Sequence, residues 1–534
     1  MGTSSSRQAD AEAAEIKSLE SRLSSLGDLH ALHAIFSHLS PSSAPIAPDI
    51  LKKHFELKME GISCPPSSQL GTLSQSVAST IIDVIFKPDE KGISWKALLE
   101  GVEKCHQPSV SVKLNLLLYF FYNLKKKGKL PLLFSFEDED SSHLPQAGLT
   151  GHLTLSELQD FFWLCWLLAY SAFSHAKCSH LPNVEPLMKS AQAACSDGNV
   201  EKETLSMEKL HKWMLLTIPR LPFSLFDFIR ACVHQTAMIF QEENAMPCNS
   251  EEQHDSKLLG SESYFARQLF DSNVAWAIGL SLSDILGTKI LSCCFSQPPD
   301  TASLLYRSSI HGKGMNRFWV HMEGYQGTVL MLIQGVTLHN MEDSLPDNLG
   351  EDQWLLGALV SEGFVNNSCF YGSRGCCIFA LDPVMKPFRP TGIGSNFVYS
   401  HSHAATSTSY LEQQRGPEGI AFGGDIGKER LLLNDDFMHV IIHHHSLDKT
   451  YEAGPLLPNQ GYHTIRGKVI DVEVWGFGGA ATMEKQAQFQ GRKNLFVEQR
   501  RKVDLQSFGN WSDSPEKMMM DMVSDPNRGQ RQDR

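Results

Sequence analysis

Histidine and cysteine clusters are the residues of this chain best suited to chemistry. His443, His444 and His445 run consecutively, and His401 and His403 stand two apart. On a strand, His443 and His445 fall on one face, where two imidazoles could begin a transition-metal site. No Glu or Cys joins them at a metal-ligand spacing, and HExxH is absent. The expectation is a histidine-rich edge or loop, with no metal or other cofactor. The twelve cysteines include the adjacent pairs Cys293-Cys294 and Cys376-Cys377 but no CxxC. Cys369, Cys376 and Cys377 could be oxidised if exposed, yet most free cysteines are buried and inert. Neighbouring strand residues point to opposite faces, so at most one cysteine of each pair is expected to face a core.

Other nucleophile and phosphate signals are thin. G-x-S-x-G, the P-loop and the kinase motifs are absent. HGKG at 311–314 lacks the rest of a phosphate cradle, and Gly423, Gly424 and Gly427 crowd AFGGDIGKE with no strand-to-helix dinucleotide context following. A tight turn or bulge needing positive φ explains the AFGGDIGKE glycines better. Asp435 and Asp436 could share acid–base work, but nothing is placed opposite them, and solvated turn residues are the default. The reading is therefore not an enzyme. Its alternative is a thiol- or metal-dependent antioxidant enzyme using the cysteine pair or the histidine cluster.

Two further features concern calcium and lipid. Counting back from Glu157 as position 12 gives the loop QAGLTGHLTLSE, 146–157. Gly151 takes the turn position and Leu153 the apolar position that packs between paired loops. Gln146, Gly148 and Thr150 stand where carboxylates belong, so Glu157 is the only charged ligand and Ca²⁺ binding is not expected. The loop reads as a degenerate EF-hand retained for shape. The plainer alternative is a turn before a helix capped by Thr154 or Ser156. At the start, MGTSSS fits M-G-x-x-x-[ST], making Gly2 a candidate for N-myristoylation. One myristoyl chain binds membranes only marginally, and Arg7 and Lys17 make no polybasic patch there. A second contact, read as protein, is needed for stable attachment.

The elements that must position these residues fall into blocks. The chain has 534 residues, 42% of them hydrophobic, and a net charge of -13, which argues against a general nucleic-acid footprint. Sparse cysteines without CxxC indicate reduced thiols in the cytosol. MGTSSSRQADAEAAEIK lacks a signal-peptide core, and the longest apolar run, Phe161 to Phe173, is too short to span a bilayer. Residues 1–15 read as a flexible start. Residues 16–240 read as helical: Ile16, Leu19, Leu23 and Leu26, then Leu114, Leu117, Leu118 and Phe121, keep a 3-4 spacing. Stretch 241–260 reads as a polar linker, and 480–534 as a polar tail in which 484–502 suits a charged helix.

Between them, 261–479 changes texture to short β-rich runs and glycine turns. Strands are expected over 328–333, 354–360, 376–381, 396–400, 429–433, 439–442 and 469–475. In the last, Ile470, Val472 and Val474 should share one face, opposite Val469, Asp471, Glu473 and Trp475. Met315, Phe318, Trp319 and Met322 form one helical stripe that should cover a sheet.

The order and spacing of these blocks resemble the TLDc domain over about 280–477. The carrying residues are Leu304, Leu305, Tyr306 and Arg307; Gly324, Tyr325, Gln326 and Gly327; Gly357, Ser361 and Glu362; Phe370, Tyr371 and Gly372; Phe422, Gly423 and Gly424; Asn434, Asp435 and Asp436; and Val472, Glu473, Val474 and Trp475. The myristoylation start, the EF-hand-like region and SMEKLHKWMLLTIPRLPFSLFDF (206–228) resemble the myristoylated, mTOR-associated subgroup, the enhancer-of-akt-null relatives.

The resemblance implies a multidomain α+β protein: a helical, degenerate EF-hand-like region, then a β-sandwich flanked by helices. It implies no established active site, links to oxidative-stress resistance and mTOR signalling, and binding to the vacuolar-type proton ATPase. Its implied location is cytoplasmic, peripherally attached to a lysosomal or vacuolar membrane. The chain departs from the family after FGG. An aromatic, glycine-rich strand is replaced by DIGKERLLLND, bringing in Lys428, Glu429 and Arg430.

Overall fold

The computed structural model describes residues 3–40, 44–59, 61–136, 149–173, 180–196, 204–244, 268–283, 285–295, 302–338, 353–401, 417–445, 448–458 and 460–509. Helices build the first half: α1 (Thr3–Ser25), α2 (Leu29–Leu39), α3 (Pro48–Lys52), α4 (Leu70–Ile81), α5 (Trp95–Cys105) and α6 (Val110–Lys127). After β1 (Phe134–Phe136) and β2 (Leu149–Thr154) come α7 (Leu155–Ala172), α8 (Glu185–Cys195), β3 (Thr204–Ser206), α9 (Met207–Thr217) and α10 (Phe223–Asn244). The 3-4 spacing is realised: Leu19, Leu23, Leu114, Leu117, Leu118 and Phe121 are buried, while Leu26 lies past the end of α1 and is exposed. The apolar run at 161–173 is the buried core of α7. Among the described residues, no helix is long and apolar enough to cross a membrane. Most of the 241–260 stretch lies outside the described residues.

Two helices, α11 (Ser272–Ser281) and α12 (Ile285–Cys293), lead into the β-rich half. There follow β4 (Ser303–Arg307), α13 (Ser308–His311), α14 (Met315–Met322), β5 (Val329–Thr337), β6 (Gln353–Val360), β7 (Asn367–Tyr371) and β8 (Cys377–Asp382). Then come β9 (Lys386–Phe388), β10 (Val398–His401), β11 (Gly419–Asp425), β12 (Lys428–Asn434), β13 (His439–Ile442), β14 (Ile465–Gly476) and α15 (Ala480–Gly509). One antiparallel sheet runs in the order β7-β10-β11-β12-β13-β14-β5-β6-β8-β9, with β4 also paired to β14. It curls so that its two ends face each other. Val398, Phe422, Leu431 and Val440 from one leaf share a core with Met331, Leu356, Ile378 and Val472 from the other.

The sandwich expectation therefore holds in a particular form. Its two leaves belong to one hydrogen-bonded path joined at β14, whose start pairs with β13 and whose end pairs with β4. Met315, Phe318 and Met322 of α14 close the core from one side, as their stripe requires.

The leaf β14-β5-β6-β8 is buried on both faces. Its outward Leu330, Leu332, Leu359, Phe379, Leu381 and Trp475 join the core that holds the helical half. This corrects the cysteine expectation. Cys376 lies in the sandwich core and Cys377 in the helical core, so both members of the pair are buried. The face assignment in β14 also changes. The register shifts between Val469 and Asp471, so Val469 joins Val472 and Val474 inside, and Ile470 is 41% exposed. A bulge inserts one residue and reverses the alternation before it.

Candidate functional site

The described calcium-loop residues sit at a β-pairing. Gln146 and Gly148 lie outside the described residues. Gly151 has φ +105 and pairs with Phe134, and Thr150 faces Ser135. Leu153 pairs with Leu205 of β3, the apolar contact between two loops that its position suggested. Glu157 closes a capping box on α7: its Oε2 accepts from the Thr154 N–H at 2.9 Å and from Oγ1 at 3.0 Å. Its Oε1 is bonded to the Lys125 ammonium, which is buried. The one carboxylate of the degenerate loop is thus held by a lysine from α6, a partner 32 residues away that no loop pattern signals.

The His443 and His445 rings meet edge-on with centroids 6.3 Å apart, but the described histidines gather no further ligand. His443 to His445 lie beyond the end of β13. The His443 ring bonds to the Glu429 carbonyl at 2.6 Å. His444 bonds to the Gly461 carbonyl and stacks on Tyr462. His401 meets Asn366 at 3.0 Å, and His403 is outside the described residues. Among the described residues no group of His, Cys, Asp and Glu could hold a metal ion. Burial pushes the Cys377 thiol up to about 12, away from the thiolate that redox chemistry needs. Asp436 accepts the Met438 N–H at 2.8 Å and the Asp435 carbonyl accepts from Met315, which makes both turn residues.

The signature residues of the β-rich half tie elements together. Tyr306 is buried on β4 and donates to the Gly312 carbonyl at 2.7 Å, ordering the turn before α14. Glu473, fully buried on β14, accepts the Phe270 N–H at 3.2 Å and the Trp475 Nε1–H at 2.9 Å. Burial raises its pKa against the hydrogen bonds, which lower it. Trp475 packs on Phe270 with ring centroids 5.2 Å apart. Glu473 and Trp475 therefore fasten the entry of α11 to the sheet. Arg307 adds an ion pair to Asp471 at 2.9 Å, and Asp471 also accepts from Ser308 and Ser309.

Gly324 has φ +85, and a Cβ there would meet the Phe489 ring at 2.6 Å. Gly327 is pressed against Gly478 and Tyr325. The Tyr371 hydroxyl bonds to Ser400 at 2.6 Å and accepts from the Val365 N–H, and burial pushes it up to about 12. Glu362 is exposed in the turn between β6 and β7. Gly423 and Gly424 have φ +66 and +70, a left-handed pair that only glycine adopts freely.

The departure after FGG has a structural meaning. Arg430 is fully buried, with Nη1 bonded to Asp448 at 3.2 Å and to the Glu452 carbonyl. Its Nη2 donates to the Gly454 carbonyl at 2.7 Å, and the guanidinium lies 4.4 Å from the Phe388 ring centroid. A formally charged residue thus pins the 448–454 segment to the sandwich instead of facing a partner. Sequence reasoning missed this because all its partners arrive from a distant loop.

These contacts leave one leaf uncovered by the helical half. A single row crosses its outer side: Tyr399 pairs with Ala421, Ala421 with Leu432, Leu432 with Ile441 and Ile441 with Arg466; Tyr399 and Ala421 are buried, Leu432 and Ile441 half-buried, and Arg466 is exposed. Phe370 packs against Tyr399 at the β7 edge, with tilted rings 5.6 Å apart. By contrast, the opposite leaf is clipped to the helices. Arg389 donates to the Ser281 carbonyl at 2.7 Å and to the Leu216 carbonyl, near the C-terminal ends of α11 and α9. Cations are favoured there by the helix dipole.

Comparison with known proteins agrees with this architecture. The profile of the TLDc domain matches residues 282–478. Oxidation resistance protein 1 of Xenopus laevis is 27% identical over 184 residues, covering 34% of this chain and 17% of that protein. MTOR-associated protein MEAK7 of Danio rerio is 23% identical over 192 residues, covering 36% of this chain and 36% of that protein. Oxidation resistance protein 1 of Rattus norvegicus is 28% identical over 188 residues, 34% of this chain and 17% of that protein. The matched stretch thus spans well under half of each relative. Residues 282–478 of this chain are a TLDc domain.

Proposed function

We propose that this chain is a non-catalytic, regulatory docking protein held at an endomembrane. Its TLDc domain binds subunits of the vacuolar-type proton ATPase, and an N-myristoyl group on Gly2 adds a lipid contact. Gly2 itself lies outside the described residues. The cellular roles are stress resistance or mTOR-type signalling, in keeping with relatives named for oxidation resistance and for mTOR association. One observation carries the reading. The ionisable signature residues Glu473, Arg307 and Tyr306 are spent on fastening elements to one another. The leaf left uncovered by the described helices, at half-buried Leu432 and Ile441 and exposed Arg466, is the proposed docking face. A marginal acyl anchor and a protein contact in series raise the effective concentration at the membrane.

Affinity purification from endomembranes tests this. The intact chain should recover proton-ATPase subunits, and Gly2→Ala should lower its membrane recovery. Failure to recover subunits even at low salt would end the docking reading. The alternative, a thiol or metal antioxidant, would gain from peroxide turnover by purified protein that disappears in Cys376→Ser/Cys377→Ser.

A further inference from the structure

Helix α15 is the least partnered element among the described residues. Its first turns rest on the TLDc domain: Gln486 donates to the His321 carbonyl, Phe489 covers Gly324, and Lys493 pairs with Glu323. Past Lys493 every described side chain is exposed, including Leu495 at 61% and Phe496 at 63%. The helix continues to Gly509, so the segment from 494 onward extends about 24 Å at the helical rise. Apolar residues held in water by a projecting helix call for a covering surface.

The pattern of charge says which surface. Residues four apart stack on one side of a helix. Phe496 is bracketed by Arg492 and Arg500, and Val497 by Lys493 and Arg501. Phe496 also continues, at a spacing of seven, the stripe that Phe489 uses to pack on the body. Lys502 adds one more cation, and the single acid between 490 and 502, Glu498, falls about 160° around the helix from Phe496 at 100° per residue. An aromatic and aliphatic stripe framed by cations, Arg500 and Arg501 among them exposed, suits the interface of an anionic bilayer. The apolar groups enter the acyl boundary and the guanidinium groups meet lipid phosphates and carboxylates.

We infer that the projecting half of α15, centred on Phe496, Val497, Arg500 and Arg501, is a binding surface for anionic lipid. It supplies a second membrane contact, beside the acyl group, within the chain itself. The inference rests on the membrane-attached reading above for where the chain meets a bilayer, and the test separates the two by using protein without the acyl group.

Unmyristoylated full-length chain is sedimented with neutral phosphatidylcholine vesicles and with vesicles containing phosphatidylserine. Binding is expected only to the anionic vesicles and should weaken as salt rises. Arg500→Gln/Arg501→Gln should weaken it about 30-fold, at roughly 1 kcal/mol per basic residue near an anionic surface. Phe496→Ala should also weaken it. All three side chains are exposed, so an unchanged melting curve will verify folding. No sedimentation with anionic vesicles, equal sedimentation with neutral ones, or an unaffected double variant would each overturn the inference. If Gly2→Ala releases the cellular protein while this test is negative, the acyl reading stands and the α15 inference falls.

Discussion

Replacing Lys125 by Met probes the most consequential substitution in the degenerate loop, a tethered cation in place of an ion. Lys125 and Glu157 are 1% and 8% exposed, and the ammonium bonds directly to Oε1. Removing one member of a buried pair costs about 3–5 kcal/mol, since it strands the other charge. Here the lower end applies, about 3 kcal/mol, because the Thr154 N–H and hydroxyl still hold Oε2. With a urea slope of about 3 kcal/mol/M, the unfolding midpoint of Lys125→Met should drop by about 1 M. Lys125→Met/Glu157→Gln restores neutrality and keeps an acceptor for the capping box. Its loss should be smaller than the sum of the single losses by at least about 2 kcal/mol. The assay is urea unfolding followed by tryptophan fluorescence and far-UV circular dichroism. Additivity of the two changes within about 0.5 kcal/mol would refute the reasoning. So would a rise in the wild-type midpoint on adding millimolar Ca²⁺, because a bound ion stabilises by mass action.

Three further expectations follow from the same contacts. Gly424→Ala places a Cβ at φ +70 against the Lys428 carbonyl and should destabilise the TLDc domain by about 1–3 kcal/mol, read as a lowered melting temperature. Burial works to raise the Asp28 pKa, but hydrogen bonds from Arg230, His106 and His234 prevail and hold it below the usual range. A depressed carboxylate stabilises above its unfolded pKa of about 3.9, and that stabilisation is lost as pH falls through the lower folded value. Asp28→Asn should therefore flatten the urea-midpoint profile below about pH 4; a profile parallel to wild type would contradict the assignment. Alkylation of the native chain at neutral pH should label exposed Cys369 and leave Cys376 and Cys377 unmodified until urea is added, as peptide mass mapping will read.

Much of the fold was legible where a strand is buried on both faces. VLMLI in β5 and WLLGALV in β6 read as continuous apolar runs because one side meets the sandwich core and the other the helical core. Strands without that signature escaped. β7, NSCFY, is a half-exposed edge, and β11, GIAFGGD, ends in the two glycines that read as a turn. β4 and β9 are short, and the bulge beside Ile470 cannot be inferred from alternation, since only pairing with β5 reveals it. The N-terminal cap was readable: Thr154 followed three residues later by Glu157 is the capping-box spacing.

The candidate site was less legible because its deciding contacts are long-range. A local pattern assigns Arg430 to the surface; Asp448, Glu452 and Gly454 bury it. Glu473 and Trp475 belong to a recognisable block, but their joint task, holding Phe270, spans 203 residues. The cysteine pair was misjudged for a related reason. Counting one core assigns one of Cys376 and Cys377 to solvent, whereas this sheet lies between two.

Size-exclusion chromatography of the purified full-length chain with detergent-solubilised vacuolar-type proton ATPase tests the proposed docking role most directly. Co-elution is predicted, weakened by charged substitutions at Leu432 and Ile441 on the uncovered leaf and unaffected by Cys376→Ser/Cys377→Ser. Separate elution at low salt, or co-elution indifferent to that leaf, would contradict the docking role assigned to it.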